Sequence, residues 1–466
     1  MAAALHDVDV LVIDLENAYL NAPCAEKIWF EGGIECGEDK GKLCVLICSL
    51  YGLKSSGFSW REALAEAFWS MEFRPTLADP NVWIRRVQKP DGYEHYEMLL
   101  CYVDDVLIVS HKCDPIANEI DNHYKIKPES RKALEIYLGA DVARIQTAGG
   151  HEVWSTSSKT YVQNAVKVVE NLLNEDGKGM QLCSPSKAKN PLPSNYHPEI
   201  DVTTELDADL IPRYLQLVGM LRWAVELGRL DIMLEVSLLS QYQASPRVDH
   251  LDALYHIFAY LRGHPDMGRI AYDHKEPKVD YCAFNETVDW TPFYGEVEEE
   301  MPPKMPESLG QSVSIHAFVN ANHAGNVVTR QSHSGIIIYV NNALIIWFSK
   351  RQNTAKSSTF GSELVSMRIC LDLIVSLRYK LRMFGLNLQG PAYTYCDNAG
   401  VVKNVSVRQS VLHKLHNAIN YHIVRESIAA KTMVVGKEDS HTNLADLLPK
   451  ILTAERRNYL CGFIFR

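Results

Sequence analysis

The sequence lacks the features that mark disulfide-rich, zinc-ribbon and membrane-spanning proteins. Its 11 cysteines are scattered and none forms a C-x-x-C pair, so neither a disulfide framework nor a zinc site is predicted. No apolar run is long enough to span a bilayer, and the first residues carry no basic segment with a cleavage signature. We therefore expect reduced cysteines, no membrane partner and an intracellular location, first the cytoplasm and second the nucleus.

Positive charge is also scarce. The chain has 47 lysines and arginines against 57 aspartates and glutamates, a formal net charge of −10. Because phosphate binding depends on basic side chains, this balance argues against nucleic-acid binding over the whole surface, although a local basic groove remains compatible with it. An acidic excess is also expected where carboxylates hold metal ions.

Length and punctuation predict several domains. A chain of 466 residues is too long for one core. The stretch 281–310 has the acidic, proline-bearing composition of a linker, and a weaker break with four prolines lies within 183–204. These breaks predict domains at 1–185, 205–280 and 311–466.

Hydrophobic periodicity predicts a mixed α+β and α/β multidomain fold. The first domain mixes strands and helices, with "YEMLLCYVDDVLIVSHK" as strand, tight turn and strand, and the middle domain has helical periodicity in which Trp223 is predicted to be core, with base stacking as the alternative. The last domain predicts three antiparallel strands, with a type I′ turn at Asn341-Asn342, then helix, strand, helix, strand and helix. Its long helix is expected from Ser358 to Gly385, and "NLADLLPKILTAERRNYL" is expected to be the closing helix.

Two adjacent aspartates, Asp104 and Asp105, interrupt an apolar stretch in "MLLCYVDDVLIVS". They fit either the tip of a β-hairpin or a divalent-metal site, because buried like charges are costly unless a cation offsets them. Asp14 closes another apolar run, "VLVIDLENAYL". Three carboxylates converging at strand ends would suit two-metal phosphoryl transfer.

A series of motifs, in order along nearly the whole chain, resembles the Pol polyprotein of copia-type long-terminal-repeat retrotransposons. The N-terminal motifs are "DLENAYLNAPCAEKIWFEGG", "SLYGLKSSGFSW" and "YVDD", and the later ones are "YLGADV", "YLQLVGMLRWAVELGRLDI", "IIWFSKRQNTAKSSTFGSELVSMR", "YCDN" and "TNLADLLPK". The resemblance implies a reverse transcriptase palm, a helical thumb or connection and an RNase H-like domain. The implied activity is RNA-directed DNA polymerisation with Mg²⁺ or Mn²⁺.

By this resemblance the polymerase ligands are Asp14, Asp104 and Asp105. Tyr19 occupies the position of an aromatic steric gate that would reject a 2′-hydroxyl, with a half-buried strand aromatic as the alternative. Lys54, in the template-contacting motif "YGLKSSG", is a candidate phosphate contact or else a solvated lysine.

The RNase H fold needs four carboxylates around two metals, and the resemblance supplies three of them: Glu363, Asp397 and Asp446. The fourth position, in "FVNANHAG", is Asn320. An asparagine offers a neutral carbonyl and an amide donor in place of an anionic ligand. We therefore expect weak or absent RNase H cleavage.

Two further departures from the family are expected to matter. Asn322 and Asn326 stand where members usually carry aspartate. The second departure is the short region upstream of Asp14. The family places basic fingers there, whereas Met1 lies thirteen residues before Asp14. Without fingers, positioning of the triphosphate and hence activity of the isolated chain are expected to suffer.

Basic residues of the last domain fall into two groups. Lys350 and Arg351, which follow its third strand, are candidates for contact with a hybrid backbone. Arg378, Lys380 and Arg382 alternate around the long helix and are predicted to form a solvated face.

The sequence thus predicts a fragment of a reverse transcriptase whose partners are an RNA template, a DNA primer, an RNA–DNA hybrid and deoxynucleoside triphosphates. The alternative is a catalytically silent remnant that binds hybrid without polymerising or cleaving. Oligomeric state stays open at this stage.

Overall fold

The computed structural model describes the chain except for residue 148 and residues 176–180, 285–287, 413–416 and 466. The second helix predicted after the three strands of the last domain, "HKLHNAINYHIVRESIAA", begins at residue 413, so its start lies outside the described residues. Within the described part, no helix combines the length and the apolar character needed to cross a bilayer.

The N-terminal region is a six-stranded sheet with helices packed on it, in the strand order β4-β5-β6-β7-β1-β8. Its helices are α1 (Ala2–His6), α2 (Ser56–Ser70) and α3 (Cys113–His123). The strands of this sheet are β1 (Asp9–Asp14), β4 (Arg74–Pro75), β5 (Val82–Gln88), β6 (Glu94–Tyr102), β7 (Asp105–Ser110) and β8 (Lys132–Ala133). Strands β2 (Trp29–Glu31) and β3 (Leu43–Val45) form a separate two-stranded sheet. The predicted strand–turn–strand at "YVDD" is the β6–β7 hairpin, and β1 pairs antiparallel with β7.

The middle region joins a small sheet to a helical core. Its strands are β9 (Ile136–Tyr137), β10 (Ala140–Gln146), β11 (Glu152–Ser157) and β12 (Arg269–Ala271), in the order β12-β11-β10-β9. Its helices are α4 (Lys159–Glu175), α5 (Leu210–Glu226), α6 (Met233–Leu239) and α7 (Val248–Gly263). Helix α4 buries its apolar face in the same core as α5 and α7, so the helical core begins before the break predicted at 183–204. Trp223 lies on α5 but is 42% exposed, which makes the core interpretation wrong.

The C-terminal region is a five-stranded sheet in the order β16-β15-β14-β18-β19. The strands of this sheet are β14 (Ile315–Asn322), β15 (Gln331–Val340), β16 (Ala343–Ala355), β18 (Ala392–Cys396) and β19 (Met433–Lys437). Strands β13 (Leu309–Val313) and β17 (Leu386–Leu388) form a separate two-stranded sheet. The helices, numbered on from a short α8 (Thr291–Tyr294), are α9 (Thr359–Met383), α10 (Ala399–Ser406), α11 (Ala418–Ala429) and α12 (Ala454–Ile464). Strands β14 to β16 are antiparallel, and β18 and β19 join in parallel, as expected for an RNase H-like order of elements.

Two local expectations in the C-terminal region are wrong. The β15–β16 hairpin has the expected two-residue connection, but only Asn341 has a positive φ, of 52°, and a type I′ turn needs positive φ at both residues. The closing helix starts only at Ala454, and Asp446 sits instead on a 3₁₀ turn, Leu444–Leu447. Pro449 follows that turn, where it cannot continue a helix.

The stretch 281–310 contains little regular structure, as its composition suggested, but one of its acids is fixed. The Glu299 carboxylate accepts hydrogen bonds from both guanidinium groups of Arg378 and Arg382, at 2.6 and 2.7 Å. These arginines are 3% and 8% exposed, so they do not form the solvated face that we predicted, whereas Lys380 is exposed. The two guanidinium groups hold the pKa of Glu299 at about 2 despite its partial burial.

A buried network of charges joins the middle region to the C-terminal helix α12. Arg229 donates two hydrogen bonds of 2.8 Å to Asp231. Arg457 on α12 binds both the Glu235 carboxylate and the Asp231 carbonyl oxygen. All four side chains are 1% exposed or less. Because water does not reach these charges, each of them is stabilised by its partners in the network.

Candidate functional site

Three aspartates of the N-terminal sheet are neighbours at the end of β1, although their carboxylate oxygens do not all lie within 4.8 Å of one another. Asp14 is the last residue of β1 and lies directly opposite Asp105, the first residue of β7. Asp104 occupies the hairpin tip, and its carbonyl oxygen accepts a 2.9 Å hydrogen bond from the Leu15 amide. The structure therefore brings together the three residues that the motifs singled out, as strand pairing at one sheet end requires.

The hairpin tip that presents these aspartates is strained. Tyr102 pairs with Asp105, which leaves Val103 and Asp104 as a two-residue turn. Val103 has a φ of 59°, a conformation that a β-branched residue rarely adopts. The indole Nε1 of Trp60 donates a 2.6 Å hydrogen bond to the Val103 carbonyl oxygen and thereby stabilises the turn. Strain of this kind persists only where the surroundings fix the backbone.

Lys127 is the cation of this site. Its Nζ lies 2.6 Å from Asp14 Oδ1 and 2.7 Å from Oδ2, and its backbone amide donates to the Asp14 carbonyl oxygen at 2.9 Å. The hydrogen bond to Asp14 raises the pKa of Lys127. The pKa of Asp105 is raised by burial and by the charges of Asp104 and Asp14, and Lys127 opposes that shift. Sequence reasoning missed Lys127, because nothing in its local pattern marks a partner more than a hundred residues away.

Two motif residues beside the aspartates have different environments. Tyr19 is half-buried on a 3₁₀ turn, Ala18–Asn21, so the strand-aromatic alternative is wrong. Its ring centroid lies 4.6 Å from that of Tyr51, which belongs to the "YGLKSSG" motif. Lys54 of the same motif is exposed, a placement that fits either of its two interpretations.

A second cluster lies in the C-terminal region around Asn320. This residue is fully buried on β14, and its Nδ2 donates to Asp446 Oδ1 at 2.5 Å and to Asp397 Oδ2 at 3.5 Å. Asp397 directly follows β18, the parallel neighbour of β14, and Glu363 is buried on α9. All four positions predicted from the RNase H resemblance are thus neighbours, but an amide donor stands among the carboxylates.

The small size of Gly335 and a hydrogen bond from the Asn443 side chain let the Asp446 turn lie close to the sheet. Gly335 lies opposite Asn320 on β15, and a Cβ at Gly335 would meet Pro449 Cδ at 2.5 Å and the Ala445 carbonyl oxygen at 2.8 Å. The Nδ2 of Asn443 donates to the Val319 carbonyl oxygen at 3.1 Å in the buried interior. The close approach of this turn therefore depends on the absence of a side chain at Gly335.

Two cations of the chain also bind Asp446, one at each carboxylate oxygen. Lys450 Nζ donates to Oδ1 at 2.7 Å, and Arg456 Nη2 donates to Oδ2 at 3.3 Å. With the Asn320 amide, these groups neutralise and saturate the carboxylate without a metal. Lys450 follows Asp446 by four residues, and this spacing was the one signal in the sequence that could have revealed it.

Glu363 is the least satisfied carboxylate of the cluster. It is 3% exposed, and its Oε2 has no hydrogen-bond partner. Burial first, and then the charge of Asp397, raise its pKa to about 8. One ligand-like group stands out among the described residues, in which the donor atoms of Glu363, Cys396 and Asp397 all lie within 4.8 Å of one another.

The predicted hybrid contacts and the additional asparagines surround this cluster. Lys350 and Arg351 are exposed within β16, which continues to Ala355, so the prediction that they follow this strand is wrong. Arg351 lines a cavity of about 190 Å³ together with Lys450 and Asn322. Asn326 Oδ1 accepts hydrogen bonds from two backbone amides, Val328 and Thr329, at 3.1 and 2.7 Å. It stabilises the loop between β14 and β15 and is turned to the backbone.

Comparison with known proteins confirms the resemblance that the motifs indicated. Residues 1–180 match the family of reverse transcriptases (RNA-dependent DNA polymerases). The chain is 24% identical to the retrovirus-related Pol polyprotein from transposon RE1 of Arabidopsis thaliana, over 95% of this chain and 26% of the relative. It is 25% identical to the corresponding polyprotein from transposon TNT 1-94 of Nicotiana tabacum, over 97% of this chain and 30% of the relative. The chain therefore spans less than a third of the length of these curated relatives.

Among solved structures, the N-terminal RNase H domain of rv2228c from Mycobacterium tuberculosis, determined as a fusion with maltose binding protein, is similar to this chain. The match has 15% sequence identity and a TM-score of 0.24 and covers 32% of this chain and 97% of that domain.

Proposed function

We propose, from the confirmed resemblance to a copia-type Pol polyprotein, that this chain contains the catalytic part of an RNA-directed DNA polymerase. The single observation that carries the proposal is the register in which Asp14 faces Asp105, with Asp104 at the adjoining hairpin tip. The substrates would be an RNA template, a DNA primer and deoxynucleoside triphosphates. The RNase H-like region would bind the resulting RNA–DNA hybrid without cleaving it.

The donor set at the N-terminal site fits hard divalent cations. Its three side chains offer only carboxylate oxygens, the ligands that Mg²⁺ and Mn²⁺ prefer. Asp14, Asp104 and Asp105 would hold the ions. When bound, a pair of such ions activates the attacking oxygen and stabilises the leaving group in phosphoryl transfer.

The chain's own residues supply selection and charge balance at this site. Tyr19, packed against Tyr51, would place an aromatic wall beside the sugar of the incoming nucleotide and reject a 2′-hydroxyl by repulsion. Lys127 neutralises Asp14 while no metal is bound, and it must give way on at least one oxygen for Asp14 to act as a ligand. Trp60 holds the strained tip that carries Asp104.

The RNase H-like region has a donor set that does not fit a pair of hard cations. The Asn320 amide directs hydrogens at Asp446 and Asp397, and it leaves the group one negative charge short of four carboxylates. Exposed Lys350 and Arg351 can still contact the hybrid backbone, which needs only shape and phosphate. Binding without cleavage is the expected behaviour of this region.

Primer extension on poly-rA with an oligo-dT primer tests the polymerase, with Asp104→Asn as the inactive comparison and filter binding of hybrid measured in parallel. Extension that needs Mg²⁺ or Mn²⁺ and is lost in Asp104→Asn supports the proposal. A labelled hybrid tests the second part, with Asn320→Asp alongside. Strong cleavage by the unaltered chain would refute the predicted loss of RNase H activity.

A second candidate function is a silent nucleic-acid-binding protein derived from the same polyprotein. The observation that favours it is that the chain's own groups occupy carboxylates in both clusters, Lys127 at Asp14 and Lys450 at Asp446. Hybrid binding with no metal-dependent extension would select this alternative.

A further inference from the structure

Three donors of different chemistry converge beside strand β18. They are a carboxylate oxygen of Glu363, the Cys396 sulfur and a carboxylate oxygen of Asp397, all within 4.8 Å of one another. Across the described ranges, no other set of three or more histidine, cysteine or acidic donors has this spacing. Cys396 is fully buried and Asp397 is partly exposed, so the group opens to solvent on the Asp397 side.

Glu363, a member of this group, carries an unpaired buried oxygen. Glu363 is 97% buried, one of its oxygens accepts from the Ala321 amide, and its Oε2 has no hydrogen-bond partner. A buried polar atom without a partner is uncommon in a folded protein and requires an explanation. A bound cation would supply it.

Asp446 is not available to the same cation. The Asn320 amide, Lys450 and Arg456 already donate to its two oxygens. The ligand set that remains is therefore two carboxylates and a thiol, which differs in charge and in softness from four carboxylates.

We propose that Glu363, Cys396 and Asp397 bind one borderline-soft divalent cation of the Zn²⁺ class in place of a pair of Mg²⁺ ions. Thiolate selects zinc over magnesium, and zinc accepts three protein ligands plus water. The Cys396 thiol gives its proton to solvent as the metal–sulfur bond forms. Burial first, and then the charge of Glu363, raise the pKa of the Cys396 thiol, and a hydrogen bond from the Asn398 backbone amide opposes this shift. A coordinating cation would overcome the shift, because a metal-bound thiol is deprotonated. The inference does not depend on polymerase activity.

Cadmium is the probe, because a thiolate–Cd²⁺ bond gives a charge-transfer absorption in the ultraviolet. Metal-free full-length chain is titrated with Cd²⁺, and competition with Zn²⁺ and Mg²⁺ follows. We expect one tightly bound Cd²⁺ per chain, displaced by Zn²⁺ but not by about a thousandfold excess of Mg²⁺. Displacement by Mg²⁺ at concentrations similar to Zn²⁺ would overturn the proposal.

Two variants and a matched control assign the ligands. Cys396→Ser should abolish the absorption band and weaken Zn²⁺ binding about 100-fold, whereas Cys370→Ser, which alters another fully buried cysteine, should leave both unchanged. Glu363→Gln keeps the thiol and should weaken Zn²⁺ binding about tenfold or more. If Cys396→Ser does not fold, Glu363→Gln decides, since unchanged Zn²⁺ affinity there would refute the site. A band that persists in folded Cys396→Ser would refute it as well.

Discussion

At the end of β1, Asp14 faces Asp105, 29% of the Asp14 side chain is exposed, and Lys127 is its counter-ion. At the end of β14, Asn320 is fully buried, and the neighbouring Asp446 is bound by an amide, an ammonium and a guanidinium. Both clusters lie at strand ends and both contain several carboxylates. They differ in how many of the protein's own groups bind one carboxylate, which is Lys127 at Asp14 and three groups at Asp446.

That difference separates a carboxylate held by one surface lysine from a carboxylate held by three groups of the protein. A surface lysine such as Lys127 contributes little and can be displaced, because its charge remains partly solvated. A buried amide and two cations on Asp446 form a closed network, and breaking such a network is costly. Carboxylates at strand ends can therefore be held loosely in one region and tightly in the other.

The largest expected contrast comes from one substitution made in each cluster. Asp104→Asn should lower Mg²⁺-dependent primer extension by about 10³-fold or more, because the variant loses an anionic metal ligand. Asp397→Asn, the same change in the other cluster, should leave extension within about twofold. Equal losses in the two variants would remove the distinction between the clusters.

Replacing Asn320 by aspartate tests how the charges of the second cluster are balanced. With chelator present, Asn320→Asp should lower the free energy of unfolding by about 2–4 kcal/mol, because a buried charge is added beside Asp397 and Asp446. Mg²⁺ should recover part of that loss by binding the folded state. Urea unfolding with chelator or Mg²⁺ measures both effects.

The matched variant Asn353→Asp adds the same charge at an exposed position of β16. It should change the free energy of unfolding by less than about 0.5 kcal/mol under either condition. A loss as large as that of Asn320→Asp would mean that net charge, and not the cluster, determines the result.

Glu299 binds two arginines of α9, the helix that carries Glu363, and its substitution tests how much this contact stabilises the protein. The folded-state pKa of Glu299, about 2, is below its ordinary 4.5, so its contribution is present above pH 4.5 and lost as pH falls towards 2. Glu299→Gln should cost about 1–2 kcal/mol of unfolding free energy at pH 7, allowing for solvent screening, and almost nothing near pH 2. Unfolding curves across this pH range, with exposed Glu298→Gln as control, give the answer. A cost independent of pH would exclude the ion pairs as its source.

The smallest effect is expected at Lys127. Lys127→Met should lower the Mg²⁺ or Mn²⁺ concentration needed for half-saturation by about twofold to fivefold, because the ion no longer competes with an ammonium at Asp14. Mn²⁺ binding followed by electron paramagnetic resonance reports this without requiring polymerase turnover. Lys125→Met removes a neighbouring lysine that lies 3.6 Å from Glu16 and should have no such effect. A higher metal requirement in Lys127→Met would show that the lysine supports metal binding.

Much of the element order followed from periodicity. The β6–β7 hairpin, the long helix with its Ser358 cap and the strand–helix alternation after it agree with the sequence, because apolar spacing and capping are local signals. The ion pairs did not follow from it. Arg378 and Arg382 looked like a solvated face because their partner, Glu299, is about eighty residues away in a stretch without periodicity.

The candidate sites show the same limit. Motifs identified the three aspartates of the first cluster and the asparagine of the second, since residue type alone carries that information. They did not identify Lys127 or Arg456, whose roles arise only when distant segments pack together. Cys396 was counted as an ordinary buried thiol, and only its distance from Glu363 and Asp397 suggests otherwise.

The charge network between α6 and α12 has a consequence for how the chain can be divided. A polypeptide starting at residue 311 would retain Arg457 but lose both of its acceptors, Glu235 and the Asp231 carbonyl. The Arg457 guanidinium would then lack these acceptors. The apolar surface that the middle region covers would be exposed beside it. Transferring the C-terminal region into another protein would therefore require the middle region to be transferred with it, so the two regions form one structural unit.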